Sequence, residues 1–253
     1  MVQEPYGTLA GVYEWLVPDA LLTPDGSVAA FAPVVEGLRP GARVLDCAAG
    51  TGQLAVGLAL RGFDVVAADA SDAMVTRAAT LAADHGVGLP AVTCPWAGLA
   101  DRGWAGRFDA VFCVGNSLTH AAGRAERRAA LANMAGVLAP GGVLVVTSRN
   151  WEAVRGRGSG ISVADRLVER DGRRALVVQG WSIAGGWDDA HHLDVAVALV
   201  DADGGVTSHA ERLAFWPFRR ETLDEDLRAA GLTPRSSTYA EDVERYLVTA
   251  ARA

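Results

Sequence analysis

The chain has 253 residues, half of them hydrophobic, with 30 acidic against 23 basic side chains and a formal net charge of −7. That length suits one large α/β domain or a domain carrying an insertion, and the apolar half is ample for a buried core. An acidic balance repels phosphate backbones, so a nucleic-acid partner is not expected.

The first 35 residues carry Tyr6, Tyr13, Trp15 and Phe31 and read as a cap (residues 1–40) packing over a cleft. From Arg43 to about Asn150 short apolar strands alternate with longer amphipathic stretches. The strands are Arg43–Cys47, Asp64–Asp69, Pro90–Cys94, Phe108–Val114 and, after a Pro140-Gly141-Gly142 turn, Val143–Ser148. The helices are Gly52–Arg61, Asp72–Asp84 with Ser71 as its N-cap, and Arg124–Leu138. Phe108–Val114 is nearly continuous apolar, as a strand covered on both faces should be. This alternation over residues 41–150 predicts a Rossmann-like α/β fold, doubly wound around a mostly parallel seven-stranded sheet. Arg124, Arg127 and Arg128, the one short basic cluster, read as the solvated face of a helix.

Residues 151–220 have a different texture. Ala175–Ser182, His191–Val200 and Val206–Trp216 alternate apolar and polar residues between Gly-rich turns, which predicts an antiparallel β-meander inserted near the mouth of the main sheet. Residues 221–253 return to a helix, about Glu221–Ala230, and to closing strands that include Tyr246–Ala250. No repeat or low-complexity segment interrupts the pattern.

Cys47, Cys94 and Cys113 form no C-x-x-C pair, and each lies in an apolar run, so they read as buried thiols in a reducing compartment. The N-terminus lacks the basic-then-apolar pattern of a signal peptide, and no apolar run is long enough to span a bilayer. The expectation is a soluble cytoplasmic protein without a membrane partner, with homo-oligomer formation left open. Arginine supplies all the basic charge, and the bias toward Ala, Arg, Gly and Val suggests a GC-rich bacterial genome.

The strongest local signal is Val44-Leu45-Asp46-Cys47-Ala48-Ala49-Gly50-Thr51-Gly52. A strand ends at an acidic residue, two glycines make a tight turn, and a helix begins. Glycines open backbone angles closed to other residues and let a ligand approach the main chain. Asp69 ends the following strand, where a carboxylate can accept hydrogen bonds from a ribose diol. Two cofactors satisfy this pattern. Gly50-x-Gly52-x-x-Ala55 also matches the loosened dinucleotide fingerprint of a nicotinamide enzyme. Asp46 just before the turn would oppose a pyrophosphate, however, and would suit the cationic amino group of S-adenosylmethionine. No Gly-Lys-Ser/Thr follows, which excludes a nucleoside-triphosphatase loop. Trp96 follows the third strand, placed either to lie against an adenine or to fill the core. Gly115-Asn116-Ser117 falls at the carboxyl end of the fourth strand, where open α/β sheets bind ligands.

VLDCAAGTGQ, VVAADASDAM, the Trp96 element, FDAVFCVGNSLTH and LAPGGVLVVTSRNW occur in order from Val44 to Trp151. Together they resemble the glycine N-methyltransferase and glycine/sarcosine N-methyltransferase family of class I S-adenosylmethionine-dependent methyltransferases. The first two segments occur across many such enzymes; GNSLTH and SRNW are narrower. The resemblance implies S-adenosylmethionine as cofactor, S-adenosylhomocysteine as product and no metal. It implies that Asp69 binds the ribose, that Trp96 lies near the adenine, that Gly50 and Gly52 face the methionine part, and that Val114 contacts the cofactor. Asp46, Ala48, Ala70, Met74, Pro95 and Ser117 complete the expected cofactor site. Asn116 would bind the acceptor and act in catalysis, and Arg149 would pair with the acceptor's carboxylate, with Tyr13 and Trp216 beside it. The family's Tyr-Tyr-Pro element reads Phe215-Trp216-Pro217 here, so the pocket should prefer a larger or less polar acceptor than glycine.

The reaction expected is methyl transfer to the nitrogen of a small amine or amino-acid-like molecule. Methylation of oxygen or carbon on a natural-product scaffold is the alternative, and a nicotinamide-dependent oxidoreductase the remote one. His120, at the strand-end mouth, is the candidate general base or else an anchor of the loop. His191 and His192 point to opposite faces of a strand and cannot share one metal ion, so they read as edge-strand residues. Asp188 and Asp189 read as turn residues, and Glu241-Asp242 as a solvated face.

Overall fold

A computed structural model describes residues 6–163, 168–170 and 172–252. Residues 1–5 of the expected cap lie outside the described residues. Two 3-10 turns and the short helices α1 (Pro24–Ala29) and α2 (Ala32–Val35) lead into β1 (Arg43–Asp46). Then follow α3 (Gln53–Leu60), β2 (Asp64–Asp69), α4 (Asp72–Asp84), β3 (Ala91–Thr93), β4 (Phe108–Cys113), α5 (Gly123–Val137) and β5 (Leu138–Arg149). These strands pair in parallel, and β12 (Arg245–Arg252) and β11 (Leu232–Ser237) extend the sheet through antiparallel pairs. The result is a seven-stranded sheet in the order β11-β12-β5-β4-β1-β2-β3. The order reverses between β1 and β4, which opens the crevice that ligands of such sheets occupy.

The predicted strands appear where the apolar runs are, because a central parallel strand needs apolar residues on both faces. Val44, Leu45, Ala110, Val111 and Phe112 are wholly buried. Ser71 caps α4 as expected, its Oγ accepting from the Met74 N–H at 3.4 Å. The Pro140-Gly141-Gly142 turn differs in one respect: it is a bulge inside a longer β5, which starts at Leu138. A Cβ on Gly142 would stand 3.0 Å from the Phe108 carbonyl oxygen, so only glycine lets β5 pass β4 there.

The inserted segment forms a second, five-stranded antiparallel sheet. Its long strands are β8 (Arg173–Ser182), β9 (His191–Val200) and β10 (Val206–Phe215), joined by the short β6 (Gly160–Val163) and β7 (Val168–Arg170). The region is not purely a meander. It opens with α6 (Trp151–Arg157), capped by Asn150, whose Oδ1 accepts from the Ala153 N–H at 3.1 Å. The meander's inner face (Val177, Leu193, Val195, Val197, Leu213, Phe215) packs on Leu9, Val12, Trp15 and Trp151. The N-terminal segment and the inserted sheet therefore share one core.

The structure corrects two expectations. Arg124, Arg127 and Arg128 are not simply a solvated face: Arg124 and Arg128 stay partly exposed and Arg127 is buried, but all three bind Asp226 of α7 (Arg220–Ala229), at 2.7–2.9 Å. Asp226 has no exposed surface, and Arg127 is buried and stacked over Phe218 at 4.8 Å. The three cations tie α5 to α7, because a buried carboxylate must be paired. His191 and His192 do alternate faces, but β9 lies between β8 and β10, so they are not on an edge. His191 is fully buried and faces Trp151, with Nε2 2.8 Å from the Arg155 guanidinium.

Candidate active site

The glycine-rich turn between β1 and α3 divides its work between two glycines. Gly52 has φ +91°, and a Cβ there would lie 2.8 Å from Ala78 Cβ, so it is required for α3 to pack against α4. Gly50 has φ +53°, and a Cβ there would meet nothing within 4 Å. Gly50 borders open space; Gly52 does not. The Gly50 N–H donates to Asp69 Oδ2 at 2.8 Å, and the Ser71 N–H donates to Asp69 Oδ1 at 3.0 Å. These two bonds aim the Asp69 carboxylate and leave each oxygen a free lone pair. Burial raises its pKa against the lowering effect of those N–H groups.

A cavity of about 220 Å³ opens at the carboxyl ends of β1, β2 and β4. Ala48, Asp69, Ala70, Pro95, Trp96, Ser117 and His120 line it, all named from sequence, together with Tyr6, Cys47, Ser71 and Cys94. Trp96 is not core filler. Its Nε1 donates to the Cys47 carbonyl at 2.8 Å, which presents the indole ring as one wall. Ser117 Oγ is turned to the Val114 carbonyl at 2.7 Å. Asp46, like Gly50 and Gly52, is not among the residues lining the cavity; it is wholly buried at the end of β1, and its Oδ1 has no hydrogen-bond partner. Burial pushes its carboxyl up to about 7, despite a hydrogen bond from the Ala48 main chain and with Asp69 adding to the rise. Met74 is buried inside α4, and Val114 is half-buried at the end of β4; neither lines the cavity.

Asn116 adopts the left-handed region with φ +70° and is buried. Its amide oxygen and one of its two N–H donors are committed within the protein. Oδ1 accepts from the Arg149 main-chain N–H at 2.9 Å and from Ser148 Oγ at 3.5 Å, while Nδ2 donates to Thr119 Oγ1 at 2.9 Å. Asn116 therefore clamps the end of β5 to the loop after β4, with one amide N–H left free among the described residues. The Arg149 side chain extends over the Trp181 ring at 5.5 Å and makes no salt bridge among the described residues. Desolvation, with Arg245 adding, lowers its pKa to about 10.

His120 Nδ1 lies 3.0 Å from the Ala214 carbonyl oxygen, which can only accept, so Nδ1 carries the proton. Nε2 then accepts from the Tyr6 hydroxyl at 3.2 Å. Burial lowers the His120 pKa to about 4, keeping the ring neutral. Tyr13 packs edge-on against Tyr6, with centroids 5.5 Å apart. Trp216 is half-buried just beyond β10, and its main-chain N–H donates to the Thr119 carbonyl at 2.7 Å, which ties the end of that strand to the loop after β4. Phe215 is buried in the core of the inserted sheet with its ring 4.6 Å from His120, and neither it nor Trp216 is among the residues lining the cavity. Sequence reasoning missed Glu211, which holds the N-terminal segment; a lone Glu in an alternating strand gave no signal.

The comparisons decide between the two cofactor readings. A family described as "Methyltransferase domain" matches residues 44–142. A glycine/sarcosine N-methyltransferase from Halorhodospira halochloris is 40% identical over 120 residues, 47% of this chain and 44% of that protein. Mouse glycine N-methyltransferase is 36% identical over 205 residues, 74% of this chain and 68% of the mouse protein. The chain belongs to the glycine N-methyltransferase family. Against the bacterial glycine/sarcosine enzyme, the match spans less than half of the relative's length. Among solved structures, an amino pentose methyltransferase of calicheamicin biosynthesis from Micromonospora echinaspora, determined with SAM bound, is 27% identical with a TM-score of 0.77. That likeness covers 96% of this chain and 97% of the other. The family's cofactor, S-adenosylmethionine, fits the residues present: open space at Gly50, an unpartnered buried carboxylate at Asp46 and a diol acceptor at Asp69. Among the described residues no helix is long and apolar enough to cross a membrane.

Proposed function

We propose that this family member methylates the nitrogen of a small amine that also carries an anionic group. The observation that carries the reading is Arg149: a desolvated guanidinium at the carboxyl end of β5, without a salt bridge among the described residues, which lines a neighbouring cleft with Trp181 and Glu244 and interacts electrostatically with Tyr6 of the cofactor cavity. An arginine fork suits a carboxylate by geometry. Bound in the cavity, S-adenosylmethionine supplies an electrophilic methyl group on a sulfonium. Asp69 would hold the ribose hydroxyls, Trp96 the adenine, and Asp46 the ammonium. Arg149 would orient the acceptor, and its own position is fixed by Asn116. Holding the nitrogen in line at about 3 Å is the chief contribution of such a site. His120 is kept neutral with Nε2 occupied by Tyr6, so it serves here as an anchor, and the amine proton leaves to solvent.

An amino sugar is the second reading for the acceptor, supported by the likeness to the amino pentose methyltransferase. We read the whole chain as one catalytic unit, bacterial and cytoplasmic, with a homo-oligomer open; composition supports the first two. The test is methyl transfer to a panel of glycine, sarcosine, larger amino acids and amino sugars, with fragmentation of the product. Turnover of a carboxylate-bearing amine whose KM rises in Arg149→Met supports the reading. Methyl on oxygen or carbon, or an unchanged KM, refutes it.

A further inference from the structure

Glu211 sits on the inner face of β10, opposite Val195, and is only 7% exposed. A carboxylate in such a place has to be hydrogen-bonded. It makes no salt bridge among the described residues. Instead it accepts three main-chain N–H groups from a segment some two hundred residues away in sequence: Tyr6 to Oε1 at 2.6 Å, and Thr8 and Leu9 to Oε2 at 3.1 and 3.2 Å. Tyr6 has φ +66°, a left-handed turn that directs nearby N–H groups to one side, as in an anion-binding nest. The segment so held carries the Tyr6 phenol, which lines the cofactor cavity and donates to His120 Nε2.

Without that carboxylate the three donors would have no partner in an apolar setting, and the segment would exchange the protein for water. We propose that Glu211 is a positioning residue: a latch on β10 that holds residues 6–9, and through them Tyr6 against the cofactor cavity, and so sets how long a bound ligand stays. It acts through Tyr6. The inference rests on the reading of that cavity as the S-adenosylmethionine site.

The test compares wild type with Glu211→Gln, which keeps the shape but turns a donor toward the N–H groups. Hydrogen exchange of the Tyr6, Thr8 and Leu9 amides and the dissociation rate of S-adenosylhomocysteine are measured, with Glu211→Asp as the conservative variant. Loss of charge-assisted bonds should raise both rates by about tenfold or more, with Glu211→Asp recovering part of each. Unchanged exchange and dissociation in Glu211→Gln overturn the latch. If Glu211→Gln does not fold, wild type decides: protection of the three amides comparable to β10 supports the latch, and random-coil exchange overturns it. Wild type that binds no S-adenosylhomocysteine refutes the cofactor reading instead, while the exchange data still judge the latch.

Discussion

Ligand affinity should depend on pH through Asp46. Its carboxyl, pushed up to about 7 by burial, has one oxygen without a partner, and only the ionised form can pair with the ligand's ammonium. Binding therefore draws on the deprotonated fraction, and the sign follows: affinity is full above pH 7 and falls as pH drops through 7. With a pKa of about 7, the apparent Kd is multiplied by about 1.1 at pH 8 and about 11 at pH 6, a tenfold loss worth about 1.4 kcal/mol. For the empty protein the same shift works the other way. The buried charge costs stability above pH 7, and that cost fades as pH falls toward the carboxyl's unfolded value. The assay is calorimetric titration with S-adenosylhomocysteine at half-unit steps from pH 6 to 8, on wild type and Asp46→Asn. The variant should bind weakly with a flat profile. His120, with a pKa of about 4, does not titrate in this window. A flat wild-type profile, or a variant that keeps the slope, refutes the assignment of Asp46 to the ammonium.

Three further outcomes are expected. Asp226→Asn leaves buried Arg127 without its counter-charge and should cost about 3 kcal/mol or more, lowering Tm by about 10 °C in a thermal melt; an unchanged Tm would mean that the arginines re-solvate freely. Gly52→Ala should lower stability by about 2–3 kcal/mol in urea unfolding because its Cβ meets Ala78, whereas Gly50→Ala should cost only about 1 kcal/mol of stability yet weaken S-adenosylhomocysteine binding at least tenfold; equal effects on stability would contradict the division of labour between them. Asn116→Ala should reduce kcat/KM by about 100-fold, near 2.7 kcal/mol, with S-adenosylhomocysteine affinity little changed, and a matching loss of cofactor affinity would reject its role as a clamp on the acceptor side.

The local parts of this fold were readable because local chemistry decides them. Apolar runs mark β1 and β4, Ser71 caps α4, and paired glycines bend the first turn. The partners of Asp226 and Glu211 were not readable, since they lie about 100 and 200 residues away and depend on how two sheets and the N-terminal segment come together. Phe215 rather than Trp216 enters the core of the inserted sheet and packs on His120 for a reason the alternation already held: Glu211, Leu213 and Phe215 share one face of β10, and Trp216 falls on the other parity. Asn150 preceding Trp151-Glu152 was a usable capping signal for α6 that the change in texture obscured.

The clamp between Asn116 and Arg149 has a consequence for redesign. Cys113 and Val146 are register partners in β4 and β5, and Asn116 and Arg149 each stand three residues further on. The reach between these two tips is thus set by the strand register together with the left-handed turn at Gly115 and Asn116. Inserting one residue in either strand would slide its tip by about 3.3 Å and invert its side chains. A programme to change the acceptor should vary the Arg149 side chain, keep Asn116 as the clamp, and leave both strand lengths untouched.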